Sequence, residues 1–195
     1  MNQTNDINIR EALFTWLNKE YSAYPEYRIV PELGLWHGAA RIDIAVINGV
    51  LHGYEIKSDS DTLARLPEQM QAYNAIFDQV TLVVGNKHFI EAFKMVPDWW
   101  GIRTAHMESD NSIYFNLIRA PKGNPAQDDI SIARLLWKRE ALDILETIGK
   151  ANGVRSKPRE VVYERLVESM ELELLKKHVW SILQSFRQGW RSGVL

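Results

Sequence analysis

The sequence predicts an α/β fold, a mixed central sheet flanked by helices, followed by an all-helical C-terminal region. Three observations predict it. Residues 1–120 alternate helical and strand patterns in the order α-β-β-β-α-β-α-β-β, which suits a sheet covered by helices. A polar stretch with two prolines and a glycine, PKGNPAQDD (121–129), then reads as a linker. Residues 130–195 carry helical periodicity over about 130–148, 157–170 and 171–188.

Each element has its own signal. Ile9, Leu13, Trp16 and Leu17 make a helical stripe over 6–21, with Thr4, Asn5 or Asp6 available as the cap. YRIVPEL (27–33) reads as a strand and HGAA as a loop. RIDIAVI and VLHGYEIK flank Asn48-Gly49, a strong hairpin signal. A helix follows over 61–78, restarting at Pro67, where a first turn accepts proline. VTLVVG (80–85) is a buried strand by its branched, apolar run. HFIEAFKMV is helical, and GIRTAHM and SIYFNLIRA are strands separated by the turn ESDNS.

The chain has 195 residues, 46% hydrophobic and 25% charged, as expected of a globular protein with a sizeable core. It has no cysteine, which excludes disulfides, thiolate metal sites and a cysteine nucleophile. No apolar run approaches the ~20 residues of a membrane span. The first residues lack the basic-then-apolar order of a signal peptide, so a cytoplasmic location is expected. Residues 1–129 hold 11 Lys/Arg against 17 Asp/Glu, whereas 130–195 hold 12 against 8. An acidic front and a basic back suit a site that gathers carboxylates beside a region able to touch phosphate. The five histidines lack zinc-ligand spacing, and no phosphate-cradling or dinucleotide-binding glycine motif is present.

The hairpin carries the chemistry. A two-residue turn would set Asp43 opposite Tyr54 and send Glu55 to the other face. A three-residue loop, Ile47-Asn48-Gly49, sets Asp43 opposite Gly53 and diagonal to Glu55. Only the second puts Ile42, Ile44 and Val46 on one face with Val50, Tyr54 and Ile56, so it is the predicted register. His52 then falls on the apolar face as a packed histidine. The other face carries Arg41, Asp43, Glu55 and Lys57, with Gly53 leaving space between the two acids. Adjacent carboxylates repel unless a cation lies between them. Carboxylates completed by water and substrate phosphate are what Mg²⁺ takes. A neighbouring lysine can orient water and stabilise developing phosphate charge. Read plainly, the same face is a solvent-facing ion pair.

Asp43, eleven residues, then Glu55-Ile56-Lys57 resembles the signature of the PD-(D/E)XK, or restriction-endonuclease-like, nucleases, with Ile42 where a proline would stand. Gln69 and Tyr73 form Q-x-x-x-Y on the next helix, as in the RecB-like branch. Residues 5–120 look like a poorly characterised bacterial and phage family in that superfamily. The resemblance implies a restriction-endonuclease-like core and a metal-dependent deoxyribonuclease. Asp43, Glu55 and the Ile56 carbonyl would hold Mg²⁺ or Mn²⁺. Lys57 would hold or activate water, and Gln69 and Tyr73 would help place substrate or water. Glu32 or Glu11 would complete the metal site, Glu32 preferred, and Arg65, on the same helix edge as Gln69, would contact DNA. The alternative is an inactive nuclease-fold module that binds DNA or a protein partner.

GVRSKPREVVYERL (153–166) loosely resembles the second half of a SAP-type helix-loop-helix, one residue longer. Leu142, Leu145 and Ile148 would form the first helix's stripe and Gly149 its stop. Arg155, Lys157 and Arg159 would be the phosphate contacts. A plain helical hairpin packed on the core is the other reading. Leu175, Val179, Ile182 and Phe186 form a last stripe that docks on the core or makes a homo-oligomer.

Overall fold

The structure, a computed structural model, describes residues 3–185. Helix α1 (Asp6–Tyr21) begins where the Asn5 side chain accepts the Asn8 amide at 2.9 Å, satisfying an N–H that the helix cannot. Strands β1 (Arg28–Leu35), β2 (Ala40–Ile47), β3 (Leu51–Lys57), β4 (Gln79–Gly85), β5 (Gly101–Met107) and β6 (Ile113–Arg119) form one sheet in sequential order. The β3–β4 and β4–β5 pairs are parallel and the rest antiparallel, so the sheet is mixed. Parallel neighbours need a crossover, supplied by α2 (Leu66–Ile76) and α3 (Phe89–Met95). Pro67 sits in the first turn of α2, and the predicted restart is the whole helix: residues 61–65 are not helical.

Helices cover both faces. Ile9, Leu13 and Leu17 of α1 pack on Ile44, Val46, Tyr54 and Ile56. The opposite face meets α2 together with α4 (Asp129–Ala133), α5 (Lys138–Thr147), α6 (Arg159–Glu168) and α7 (Leu172–Gln184), which share one continuous core. Strand β3 is therefore buried along its whole length, the setting in which a Glu and a Lys need explaining.

The predicted hairpin parity holds, but the register is shifted. Ile47 pairs with Leu51, leaving Asn48-Gly49-Val50 as the loop with Gly49 at φ 94°. Ile47 is fully buried and Val50 is 40% exposed, so the chain buries the larger side chain and turns on the smaller. The Leu51 amide is also fixed by the Asp78 carboxylate at 2.7 Å. In this register Gly53 lies opposite Ala45 and leaves no space beside Asp43. A Cβ there would meet Ile42 Cδ1 at 2.4 Å and the Phe77 ring at 3.0 Å. Ile42 packs in the α2-side core with Leu33, away from Ile44 and Val46, so the predicted three-residue stripe breaks at Asp43.

Two corrections concern the C-terminal part. The stretch 121–128 is a pinned strap rather than a free linker. Asn124 donates to the Asn74 and Phe77 carbonyls, Gln127 to that of Ile76, and the Asp128 amide to that of Ala75, which together close the C-terminal end of α2. The single helix expected over 130–148 is two, because Trp137 is extended at ψ 152° and Glu140 reaches back to its amide at 2.7 Å, starting α5. Helix α5 stops at Gly149 as expected. Phe186 and the predicted end of the last helix at 188 lie outside the described residues.

Candidate active site

The β2–β3 pairing ends at Ile44 and Tyr54. At the same level the β1 backbone departs from regular strand geometry. Glu32, between the Pro31–Ile44 and Leu33–Ile42 pairs, sits at φ 52°, a conformation uncommon for a residue with a Cβ. Asp43 turns into this gap. Its Oδ2 accepts the Ile56 amide at 2.7 Å, and Oδ1 accepts Arg10 Nη2 at 2.7 Å. The strand residue after Tyr54 faces the α2 side, where Glu55 is 1% exposed. Lys57 Nζ donates to Glu55 Oε1 at 2.5 Å. The Tyr73 hydroxyl lies 2.6 Å from Glu55 Oε2 and 2.7 Å from the Arg41 carbonyl, its one proton serving either acceptor. Gln69 Nε2 donates to that hydroxyl at 3.2 Å, and Gln69 Oε1 is buried without a hydrogen-bond partner. The i, i+4 spacing on α2 is what brings Gln69 and Tyr73 to Glu55 together.

These groups border a cavity of about 470 Å³ lined by Asp43, Glu55, Ile56, Lys57, Arg65 and Gln69, with Arg10, Arg41 and Trp36 around its wall. Burial raises the Glu55 carboxyl to about 7, helped by the Asp43 charge and opposed by Lys57 and Tyr73. Burial also raises Asp43, against the pull of Arg10 and the Ile56 amide. The Tyr73 hydroxyl is pushed far up by burial and by Glu55, so it stays a proton donor. Two acids that burden each other in a partly enclosed space, with a spare amide oxygen beside them, are an all-oxygen donor set of the kind Mg²⁺ and Mn²⁺ prefer. Among the described residues no group of three or more His, Asp or Glu gathers as a ready-made metal cage. An ion held by this pair would take its remaining ligands from water or substrate.

Other expected site residues lie elsewhere. Glu32 stands behind Asp43, paired with Arg41 at 3.3 Å and facing Arg10 at 3.9 Å, and does not line the cavity. Glu11 lines grooves bordered by Thr15 and Phe14 or Trp16, away from Glu55. Arg155 pairs with Glu146 at 2.9 Å in the α5–α6 loop, and neither it nor Lys157 borders the cavity. Arg159 adjoins Glu160, which binds His37 at 3.2 Å, next to Trp36 on the cavity wall. His52 is a packed histidine as expected, its ring nitrogens facing Thr81 and Tyr54, and burial drops it to about 3.

Arg10 was not visible as a site residue in the sequence. Its only signal is the Asp6–Arg10 spacing of four on the first helix, which many surface pairs share.

A family model described as Bacteriophage P4 protein cII matches residues 1–191. The chain belongs to this family. Protein cII of Enterobacteria phage P4 is 29% identical over 141 residues, 72% of this chain and 53% of the relative. The chain thus spans about half the length of that curated relative. Among solved structures, a protein of unknown function from Silicibacter pomeroyi is similar at a TM-score of 0.45 and 18% identity, covering 79% of this chain and 100% of that one. Within the family match fall the hairpin, the cavity and all of α1 to α7.

Proposed function

We propose that this member of the family is a divalent-metal-dependent nuclease of the PD-(D/E)XK type that hydrolyses DNA phosphodiester bonds. The observation that carries the reading is a convergence. Asp43, Glu55, Lys57 and Gln69, supplied by β2, β3 and α2, border one cavity, and behind it Lys57 and Tyr73 donate to Glu55 while Gln69 donates to Tyr73. An ion pair in a fully buried strand contributes little to stability compared with apolar residues of that size, so a chemical role accounts for it better than packing does. Asp43, Glu55 and the Ile56 carbonyl would hold Mg²⁺ or Mn²⁺. When bound, that ion polarises the phosphodiester and makes water a nucleophile at neutral pH. Lys57 positions the water and offsets charge that develops on the phosphate. Tyr73 and Gln69 hold Glu55 in place, and Arg41 and Arg65 supply positive charge on the cavity wall for the phosphate backbone.

One observation favours the second reading, a nuclease-fold module that binds DNA or a protein partner without cutting. Every carboxylate oxygen of the pair already has a protein donor: Arg10 and the Ile56 amide on Asp43, and Lys57 and Tyr73 on Glu55.

The test is cleavage of linear and circular, single- and double-stranded DNA with Mg²⁺ or Mn²⁺, beside Lys57→Ala. The expected result is cutting that needs metal and disappears in the variant. A folded protein that cuts no substrate and binds no Mn²⁺ leaves the binding module.

A further inference from the structure

Among the described residues, Arg10 is the one cation on the cavity wall that is surrounded by acids. Its Nη2 lies 2.7 Å from Asp43 Oδ1, and the Asp43 carbonyl is 3.4 Å from Nη1. Asp6 receives the same guanidinium at 3.1–3.3 Å through Nε and Nη2. Glu32 Oε1 stands 3.9 Å from Nη1. The side chains of Asp43 and Arg10 are only 20% and 16% exposed, whereas that of Asp6 is 40% exposed. A charge held among three carboxylates, two of them largely out of water, does the electrostatic work that a bound divalent ion would do.

We propose that Arg10 is a built-in placeholder cation: it neutralises Asp43 while the site holds no metal, and a divalent ion must displace it from that oxygen to bind. This rests on the metal-dependent reading above. The displaced guanidinium does not need to leave the protein. Asp6 already holds it and Glu32 stands 3.9 Å from it, so the helix keeps its charge paired while Asp43 Oδ1 is freed. Asp43 also keeps the Ile56 amide on its other oxygen, which fixes the carboxylate in orientation through the exchange. Arg10 is thus a positioning residue that sets metal affinity. It offsets the Asp43 charge while no metal is bound, at the expense of weaker metal binding.

The test is Mn²⁺ binding at fixed pH, read by the electron paramagnetic resonance signal of free Mn²⁺, for wild type, Arg10→Gln, Arg10→Lys and Asp43→Ala. Arg10→Gln removes the competitor and is expected to bind Mn²⁺ about tenfold more tightly or better, the equivalent of about 1.4 kcal/mol. Arg10→Lys keeps the charge and the fold but loses the forked grip, so its affinity is expected between the two. Both variants binding no more tightly than wild type overturns the placeholder and leaves the nuclease reading standing. No Mn²⁺ on wild type or either Arg10 variant, or binding that survives Asp43→Ala, overturns the metal reading and the placeholder with it.

Discussion

The molecule buries acids at two ends of one hairpin, and it treats them differently. At the turn end, Asp78 is single and saturated. It accepts the Leu51 amide at 2.7 Å, Trp180 Nε1 at 3.1 Å and Lys176 Nζ at 2.6 Å, tying β3 to α7. At the open end, Asp43 and Glu55 each meet a basic residue, the Asp43 charge opposes ionisation of Glu55, and both border a cavity. Both ends supply their acids with donors, so the difference lies elsewhere: Asp78 stands alone among its donors, whereas Glu55 and Asp43 lie close enough for charge to oppose charge and border a space a ligand could enter.

The widest separation between the two ends is expected from alanine substitutions. Asp43→Ala and Lys57→Ala should lower DNA cleavage by roughly a thousandfold or more while the fold persists, since such groups act on the transition state. Asp78→Ala should do the reverse. It strands the half-sealed Lys176 charge and should cost about 3–5 kcal/mol in a urea melt, with Mn²⁺ affinity of the folded protein unchanged. Equal loss of stability at both ends would erase the distinction.

A smaller effect sharpens it by pH. Glu55 keeps its proton up to about 7 in the folded chain, whereas an unfolded glutamate releases it near ~4.3. Across that window the folded state binds more protons, so this group's contribution falls as pH rises from about 4 to about 7 and is level above. Stability of wild type minus that of Glu55→Gln, without metal, should therefore decline through that window by on the order of 1–3 kcal/mol. Parallel curves would mean that Glu55 is not the raised acid. Tyr73→Phe, which removes only the hydroxyl that Glu55 and the Arg41 carbonyl share, should cost about 1 kcal/mol and lower cleavage roughly tenfold or more.

How much of this was legible in the sequence follows from the kind of signal each part carries. The mixed sheet and the hairpin parity that brings Asp43 near Glu55 come from period-two alternation and one Asn-Gly turn, both local, and they survive in the structure. The register did not, because it depends on Asp78, which is 27 residues from Leu51. The stripe of Ile42 with Ile44 failed for a related reason. Beside the left-handed backbone of Glu32 in the neighbouring strand, Ile42 packs toward Phe77 over Gly53, which a strand read alone does not reveal. Gln69 and Tyr73 were readable because helical spacing is rigid. Arg10 was not, because it reaches Asp43 only once α1 has docked across the sheet. The strap at 121–128 looked like a linker because most of its hydrogen bonds go to backbone carbonyls, chiefly at the end of α2, which leave no trace in composition.

The smallest expected effect concerns the basic loop between α5 and α6. Arg155 is exposed and held by Glu146, which is itself half exposed, so Arg155→Ala should change stability by less than about 0.5 kcal/mol. Lys157 lies in the same exposed loop. If this loop follows the phosphate backbone, each alanine should weaken DNA binding to a similar degree on every sequence. Each should also reduce the dependence of log K on log salt by about one phosphate contact. Binding whose salt dependence is unchanged in the double variant would confine the nucleic acid to the cavity and its wall. Arg41, Arg65 and the Arg159–Glu160–His37 contact beside Trp36 would then be the surface to mutate next. The two outcomes differ because charge on a loop acts through counterions, whereas charge at the cavity also meets the two acids, and only the latter should respond to Mn²⁺ as well as to salt.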